Sequence, residues 1–258
     1  MSAKILYVDI ENSPNVADVW GLWDQNVGLT QLKEASRIIG VGYRWATQKR
    51  TTFLSIYDAE TGELGDNHQV LQEMRDLYDE ADIVVTYNGN SFDNKHLNAA
   101  WAMAGIDPPS PCISIDLYRV VRSNFKFPSN KLDYVASVLL DDHKVVNGGH
   151  LLWRQCLDAD VPTEVRRKAW AMMAKYCRKD VDLLVPLHAK LTPWLPEAIN
   201  VAVIGSQPHC NACPKCASVK VQSRGYRYTR TRAYRQYLCT NCKGWFRGTR
   251  MEWGPARA

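Results

Sequence analysis

Two Cys-x-x-Cys pairs near the carboxyl end restrict the fold of this 258-residue chain more than any other feature. Cys213 and Cys216 form the first pair and Cys239 and Cys242 the second, with residues 217–238 between them. Four thiolates on two tight turns make a tetrahedral site typical of structural zinc. The alternating, Tyr-, Thr- and Arg-rich insert predicts a β-hairpin. We therefore predict a small β module over residues 209–250 that folds around one structural Zn²⁺.

The choice of the first cysteine pair has alternatives. Cys210 lies three residues before Cys213, so these two could form the turn instead, and His209 could join the site. We prefer the pair given above, because Pro214 and Lys215 suit a tight turn, and Cys210 is then a spare thiol. The remaining cysteines are interpreted as buried structural thiols: Cys112, Cys156 and Cys177.

Charge is distributed unevenly along the chain. From His209 onward there are 3 Lys and 8 Arg against one acid, Glu252, a net charge of +10. Subtraction from 32 basic and 27 acidic residues leaves 21 and 26 before that point, a net of −5. A basic tail on an acidic body indicates an anionic polymer as partner.

Arginines and aromatic residues interleave in the basic tail. Guanidinium groups pair with phosphates, and rings offer stacking faces to unpaired bases. A solvated surface or a protein-docking module would be the alternative interpretation. The nucleic-acid-binding candidates in the tail are Arg224, Arg227, Tyr228, Arg230, Arg232, Arg235, Trp245 and Arg247.

The first 200 residues have the pattern of a mixed α/β domain. Apolar runs that alternate with helical spacing follow an initial hairpin. The pattern predicts strands over residues 4–10, 37–45, 51–58, 83–88 and 112–121, the last followed by a turn. It predicts helices over 68–82, 91–105, 131–140 and 163–191. Pro186 is expected to bend or interrupt the last helix, and Pro193, Pro196 and Pro208 mark a linker.

Acidic side chains stand at the ends of several predicted elements. Asp9 and Glu11 project from one face of a strand, where two like charges repel each other unless a cation lies between them. Asp93 follows another buried strand, and Tyr176 and Asp180 share one face of a helix. Taken singly, each has an ordinary explanation, such as a solvated strand end, a helix amino terminus or a core tyrosine. Together they predict a metal site.

These motifs resemble those of the DEDD superfamily of 3′–5′ exonucleases, which have the ribonuclease H-like fold. The match consists of Asp9-Ile10-Glu11, then Asn88 to Asp93, then Tyr176 to Asp180. The branch with His in the third motif would have it at position 175, which is Lys175, so the tyrosine branch is indicated. "SNKLDYVASVLLDDHKV" is also similar to a segment of the proofreading domains of family B polymerases. The cysteine tail resembles a zinc ribbon.

The resemblance implies catalysis with two Mg²⁺ or Mn²⁺ ions. Asp9 would bridge both ions, Glu11 and Asp180 would complete one site, and Asp93 would serve the other. Tyr176 would orient the attacking water, and Asn88 is expected to contact nucleic acid.

The sequence therefore predicts a ribonuclease H-like 3′–5′ exonuclease over residues 1–200 and a zinc ribbon that grips the substrate. DNA with a single-stranded or free 3′ end is favoured, while RNA remains possible. The enzyme would work alone or in a replication or repair complex. A structure-selective endonuclease and a catalytically silent nucleic-acid-binding adaptor are the rivals. No apolar run reaches roughly 18 residues and no signal peptide is recognised, so we expect no membrane association and a cytoplasmic location.

Overall fold

The computed structural model describes residues 3–196, 199–204 and 212–253. Within these residues the strands are β1 (Ile5–Asn12), β2 (Val16–Ala17), β3 (Leu32–Glu34), β4 (Ile38–Trp45), β5 (Thr52–Ser55), β6 (Ile83–Thr86), β7 (Ile113–Asp116), β8 (Val221–Tyr228), β9 (Ala233–Cys239) and β10 (Trp245–Trp253). The helices are α1 (His68–Glu80), α2 (Asp93–Ala104), α3 (Leu117–Asn124), α4 (Leu132–Leu140), α5 (His150–Leu157) and α6 (Thr163–Leu191). No helix in these ranges is long and apolar enough to cross a bilayer.

The body is built on a five-stranded mixed sheet in the order β5-β4-β1-β6-β7. β1 pairs antiparallel with β4 and parallel with β6, and β6 pairs parallel with β7. Helices α1 and α2 pack on one face, and α3, α4 and α6 pack on the other. The predicted α/β architecture, a mixed sheet flanked by helices, is confirmed.

Side chains of β1 alternate between the two cores. Leu6, Val8 and Ile10 are buried against α1 and α2. Tyr7 belongs to the core on the α6 side. Because the period is two, Asp9 and Glu11 also face the α6 side.

The predicted β4–β5 hairpin is confirmed. The segment between β1 and β4 forms a further feature that the sequence did not predict. The short strands β2 and β3 pair antiparallel and form an arm between β1 and β4. Its tip carries four exposed apolar side chains: Trp20, Leu22, Trp23 and Leu29. The strands of the arm are too short to produce a readable alternation.

Three other elements differ from the prediction. The turn expected after β7 is helix α3, because the Asp116 carboxylate caps it by accepting the N–H groups of Tyr118 and Arg119. Helix α5 lies in a segment for which the sequence pattern predicts no helix or strand. Helix α6 continues through Pro186 without interruption. Pro186 is exposed, so water can reach the Asp182 carbonyl that loses its helical partner.

The cysteine-rich tail forms a second, three-stranded sheet in the order β10-β9-β8. The predicted β8–β9 hairpin is confirmed, and β10 is an additional strand. Lys215 donates a hydrogen bond from Nζ to the Pro193 carbonyl just beyond α6. A Cβ on Gly244 would lie 2.9 Å from Lys215 Cδ and 3.4 Å from Pro193 Cα, so glycine permits this close contact. Pro208, His209 and Cys210 lie outside the described residues.

Candidate functional site

The carboxyl end of β1 is the centre of the site. β1 pairs with β6 only through Ile5–Tyr7, so the edge of β1 is open further on. There the N–H of Ile10 donates to Asp93 Oδ1 at 3.1 Å. Asp93 is the first residue of α2 and only 3% of it is exposed. A backbone hydrogen bond thus fixes this carboxylate beside Asp9.

Helix α6 brings the third motif to the same place. Asp180 is 2% exposed, and its charge raises the pKa of Asp9 and of Glu11. Cys177, one turn before Asp180, has its Sγ 4.0 Å from Asp9 Oδ2. Ligand atoms of Asp9, Glu11 and Cys177 all lie within 4.8 Å of one another. The structure therefore brings the carboxylates of all three motifs together, with Cys177, which is buried as predicted, at their base.

Burial and mutual repulsion shift these carboxylates towards the protonated form. Burial raises the pKa of Asp9 well above its usual range, and the charges of Asp93, Glu11 and Asp180 raise it further. The pKa of Glu11 is raised to about 8, mainly by burial and then by Asp180. Burial raises the pKa of Asp93 to about 7, although hydrogen bonds from its own N–H and that of Ile10 lower it. Such a cluster favours any cation that replaces the protons.

Lys144 is a charged member of the site that the sequence did not reveal. Its Nζ lies 2.6 Å from Asp180 Oδ2 and donates to the Tyr176 hydroxyl at 2.8 Å. Burial lowers the pKa of Lys144, but the charge of Asp180 and its hydrogen bond outweigh burial and raise it. Burial and Asp180 raise the pKa of Tyr176. Lys144 is therefore an ammonium, and Tyr176 a neutral phenol, near neutral pH.

The residues present fit divalent metal ions. The Oδ1 atom of Asp180 is buried and has no hydrogen-bond partner, although a buried carboxylate oxygen normally has one. Glu11 and Asp93 offer further oxygen ligands beside Asp9, and Mg²⁺ and Mn²⁺ prefer oxygen.

A loop after β6 shapes the side of the site. The buried Asp116 carboxylate accepts the N–H groups of Asn88 at 2.8 Å and Asn90 at 3.2 Å. A Cβ on Gly89 would lie 2.2 Å from Thr86 Oγ1, so only glycine lets the loop pass this close. Tyr87, Asn88, Tyr118, Asn130, Lys131 and Lys144 are among the residues that line an open pocket of about 390 Å³. Asn88 thus lies beside Lys144, where a substrate could reach it.

The four predicted zinc ligands also lie together. Cys213 Sγ is 3.7 Å from Cys242 Sγ, and Cys216 Sγ is 3.7 Å from Cys239 Sγ. All four sulfurs lie within 4.8 Å of one another. Zn–S bonds of about 2.3 Å at tetrahedral angles require sulfurs about 3.8 Å apart. The cluster fits a zinc ion, and the separations are too long for disulfides.

The basic candidates of the tail lie on both faces of the small sheet. Arg227 and Arg247 share a face with Tyr234, and Arg247 Cζ lies 4.5 Å from the centre of that ring. Arg235 is on the other face, 4.5 Å from the ring of Tyr226. The candidates on the same face as Tyr234 also include Trp245, and those on the face of Arg235 include Tyr228. Arg224 lies on β8 near the bulge, and Arg230 and Arg232 are in the β8–β9 turn.

An additional aromatic residue completes the Arg235 face. Trp253, which is not among the candidates from the sequence, packs against Tyr226 with 4.5 Å between ring centres and 56° between the ring planes. The arginines and aromatic residues that interleave in the sequence therefore form two arginine–aromatic surfaces, one on each face of the small sheet.

Comparison with protein families assigns the body. A sequence model of the RNase_H superfamily matches residues 27–192, more than half of the chain. The chain belongs to this superfamily, whose members are usually nucleases that use divalent metal ions and bind nucleic acid. The match includes Asp93, Tyr176 and Asp180 but begins after Asp9 and Glu11.

A shorter similarity links the chain to a viral protein. It is 29% identical over 83 residues to "Putative DNA polymerase 060R" of Frog virus 3 (isolate Goorha). The aligned part is 32% of this chain and spans only 7% of the length of the viral protein.

Proposed function

We propose that this protein is a metal-dependent 3′–5′ exonuclease of the tyrosine branch of the DEDD superfamily, with DNA as the favoured substrate. The observation that carries the proposal is the convergence of Asp9, Glu11, Asp93 and Asp180 with Tyr176 at the carboxyl end of β1. The partial similarity to a protein named as a DNA polymerase supports DNA over RNA.

The roles of the residues follow from their chemistry. When bound, two divalent ions would activate water and neutralise the leaving oxygen. Asp9, Glu11 and Asp180 would hold one ion, and Asp93, with Asp9, would hold the other. The phenol of Tyr176 keeps its proton, so it would orient the attacking water by a hydrogen bond. The ammonium of Lys144 would face the scissile phosphate.

The pocket beside Lys144 gives the substrate a place to bind. Asn88 and Lys131 line it and offer an amide and a cation to the terminal nucleotide. We assign residues 1–200 to the catalytic domain and residues 209–250 to a zinc ribbon that grips the strand with its arginines and aromatic rings.

Labelled oligonucleotides test the proposal. Single-stranded DNA and RNA with a 5′ label would be incubated with Mg²⁺ or Mn²⁺, using wild-type protein and Asp9→Ala. We expect a ladder that shortens from the 3′ end, faster on DNA, and no ladder with Asp9→Ala. Circular single-stranded DNA should stay intact, because it has no end.

Other outcomes would replace the proposal. Cleavage of the circle would identify an endonuclease, and a stronger RNA ladder an exoribonuclease. Binding to either polymer without cleavage by the wild-type protein would identify an adaptor.

A further inference from the structure

A basic segment lies between the pocket beside Lys144 and Trp194, just beyond the end of α6. Residues 117–132, from the start of α3 to the start of α4, contain four cations and no acid, although the chain before the tail has a net charge of −5. These cations are exposed on the surface: Arg119, Arg122, Lys126 and Lys131. The segment is thus a basic surface on a body whose net charge is negative.

The same segment carries stacked aromatic rings. Phe125 and Phe127 are half-buried and stack in parallel, 5.2 Å apart with 10° between their planes. Trp194, just beyond α6, lies 5.1 Å from Phe125 and is 43% exposed. We call Phe125, Lys126, Phe127, Trp194 and Arg122 the aromatic ridge.

The aromatic ridge lies between the two regions that we propose contact nucleic acid, which are the pocket beside Lys144 and the ribbon. Asn130 and Lys131, which follow Phe127 closely in the chain, line a pocket together with Lys144. Lys144 in turn contacts the carboxylate of Asp180. At the other end, Trp194 follows Pro193, whose carbonyl accepts the hydrogen bond from Lys215 of the ribbon. With a rise of 1.5 Å per residue, Trp194, just beyond the end of α6, lies about 20 Å from Asp180 in the direction of the helix axis.

We propose that the aromatic ridge carries a single strand of nucleic acid from the ribbon to the carboxylate site. Half-exposed rings next to cations suit unpaired bases followed by phosphates. In a duplex the faces of the bases are stacked inside the helix and are not available to these rings. The ridge would thus guide a single strand rather than a duplex, and this inference rests on the proposed function.

Binding of labelled strands to the full chain tests the cations. The probe is a fluorescent DNA of about 16 nucleotides, single-stranded or duplex, titrated over a range of salt without divalent ions. Arg122→Ser with Lys126→Ser should reduce the salt slope for single strands by about 1.4, since each phosphate contact contributes about 0.7. Lys49→Ser with Arg50→Ser is the matched control, because these exposed residues lie in the β4–β5 turn at the opposite end of the sheet. It should leave the slope unchanged.

A second pair of variants tests the rings. Trp194→Ala should weaken single-strand binding roughly tenfold, and Trp194→Phe should retain most of it. Trp23→Ala, which removes an 84% exposed tryptophan from the arm, should bind like wild type. If Trp194→Ala does not fold, the salt slope of the Arg122→Ser, Lys126→Ser variant decides whether the ridge binds single strands.

The outcomes separate this inference from the proposed function. If wild type does not cleave but the ridge variants bind single strands more weakly, the nuclease proposal fails and the ridge stands. If wild type cleaves while the ridge variants bind and cleave like wild type, the ridge is wrong and the nuclease stands. Equal weakening on duplex and single strand would also overturn the ridge as a single-strand surface.

Discussion

The ammonium of Lys144 lies 2.6 Å from the carboxylate of Asp180, across 36 residues of sequence. Lys179 and Asp142 are separated by the same distance, but their side chains are 30% and 45% exposed, against 27% and 2% for Lys144 and Asp180. Substituting the lysine of each pair therefore compares, in its effect on stability, an ion pair with a buried carboxylate and an ion pair on the surface.

Lys144→Met should destabilise the protein in chelator by about 1–3 kcal/mol, because Asp180 loses a charged partner. Adding Mg²⁺ should recover part of this loss, since the ion would supply positive charge to Asp180. Lys179→Met should cost less than about 1 kcal/mol and should not respond to Mg²⁺. Thermal unfolding in chelator and in Mg²⁺ measures both. Equal behaviour of the two variants would contradict the assignment of Asp180 to a metal site.

The free energy of unfolding without metal should fall as pH rises between about 4.5 and 8. The pKa of Glu11 is raised from 4.5 to about 8 and that of Asp93 from 3.8 to about 7, in both cases mainly by burial. In this range the folded state binds more protons than the unfolded chain, so higher pH favours unfolding. Mg²⁺ should flatten the dependence by replacing the protons.

Unfolding experiments at several pH values in chelator check this expectation. Glu11→Gln should reduce the slope, and the exposed control Glu63→Gln should not. Stability that is constant or rises over this range would show that the carboxylates are not crowded as described.

Loss of zinc should unfold the ribbon and leave the body folded. Among the described residues the buried apolar cluster of the ribbon is Cys213, Cys239 and Phe246, with Cys216, Val221, Tyr237 and Cys242 packed against them. A core this small would need a bound metal for most of its stability. Cys239→Ser should remove one zinc ion per chain and the hydrogen-exchange protection of β8–β10. Cys112→Ser, outside the cluster, should retain both. Protection of β8–β10 without zinc would contradict a metal-dependent fold.

Asp116→Ala should disturb the substrate pocket as well as stability. The change leaves the N–H groups of Asn88, Asn90 and Tyr118 without their acceptor, which should cost about 3 kcal/mol. Asp116→Asn keeps one acceptor oxygen and should cost less. Asp79→Ala is the control, because Asp79 also accepts a backbone N–H, from Ser110, but on the surface. If Asp116→Ala and Asp79→Ala lower the free energy of unfolding equally and KM is unchanged, Asp116 does not position the substrate pocket.

Periodicity in the sequence was sufficient to predict the mixed sheet and its long helices, and it placed some of the candidate residues on common faces. Two-residue alternation put Asp9 and Glu11 on one face of β1, and four-residue spacing put Tyr176 and Asp180 on one face of α6. These are local rules, and long strands and helices obey them.

Contacts made by irregular segments could not be predicted in this way. Lys144 lies between α4 and α5 where no period operates, and its pairing with Asp180 depends on the tertiary fold. The pattern places Asp116 inside a strand predicted over residues 112–121, because its role as a helix cap requires knowing that α3 begins at Leu117. The division of the ribbon arginines between two faces depends on the registers of β8, β9 and β10, which are not visible in composition.

If carboxylates from three separate motifs form one metal-dependent cleavage site, as we propose, two neighbouring acids of α6 should respond differently to substitution. Asp180 lies in the site, whereas Asp182 accepts hydrogen bonds from Arg44 and Thr51 outside it. The measurement is the rate of 3′ shortening of a 5′-labelled single strand in Mg²⁺. The account predicts that Asp180→Asn slows it by roughly 10³-fold, several kcal/mol of transition-state stabilisation, while Asp182→Asn stays within a few-fold of wild type. Equal rates for the two folded variants would contradict it.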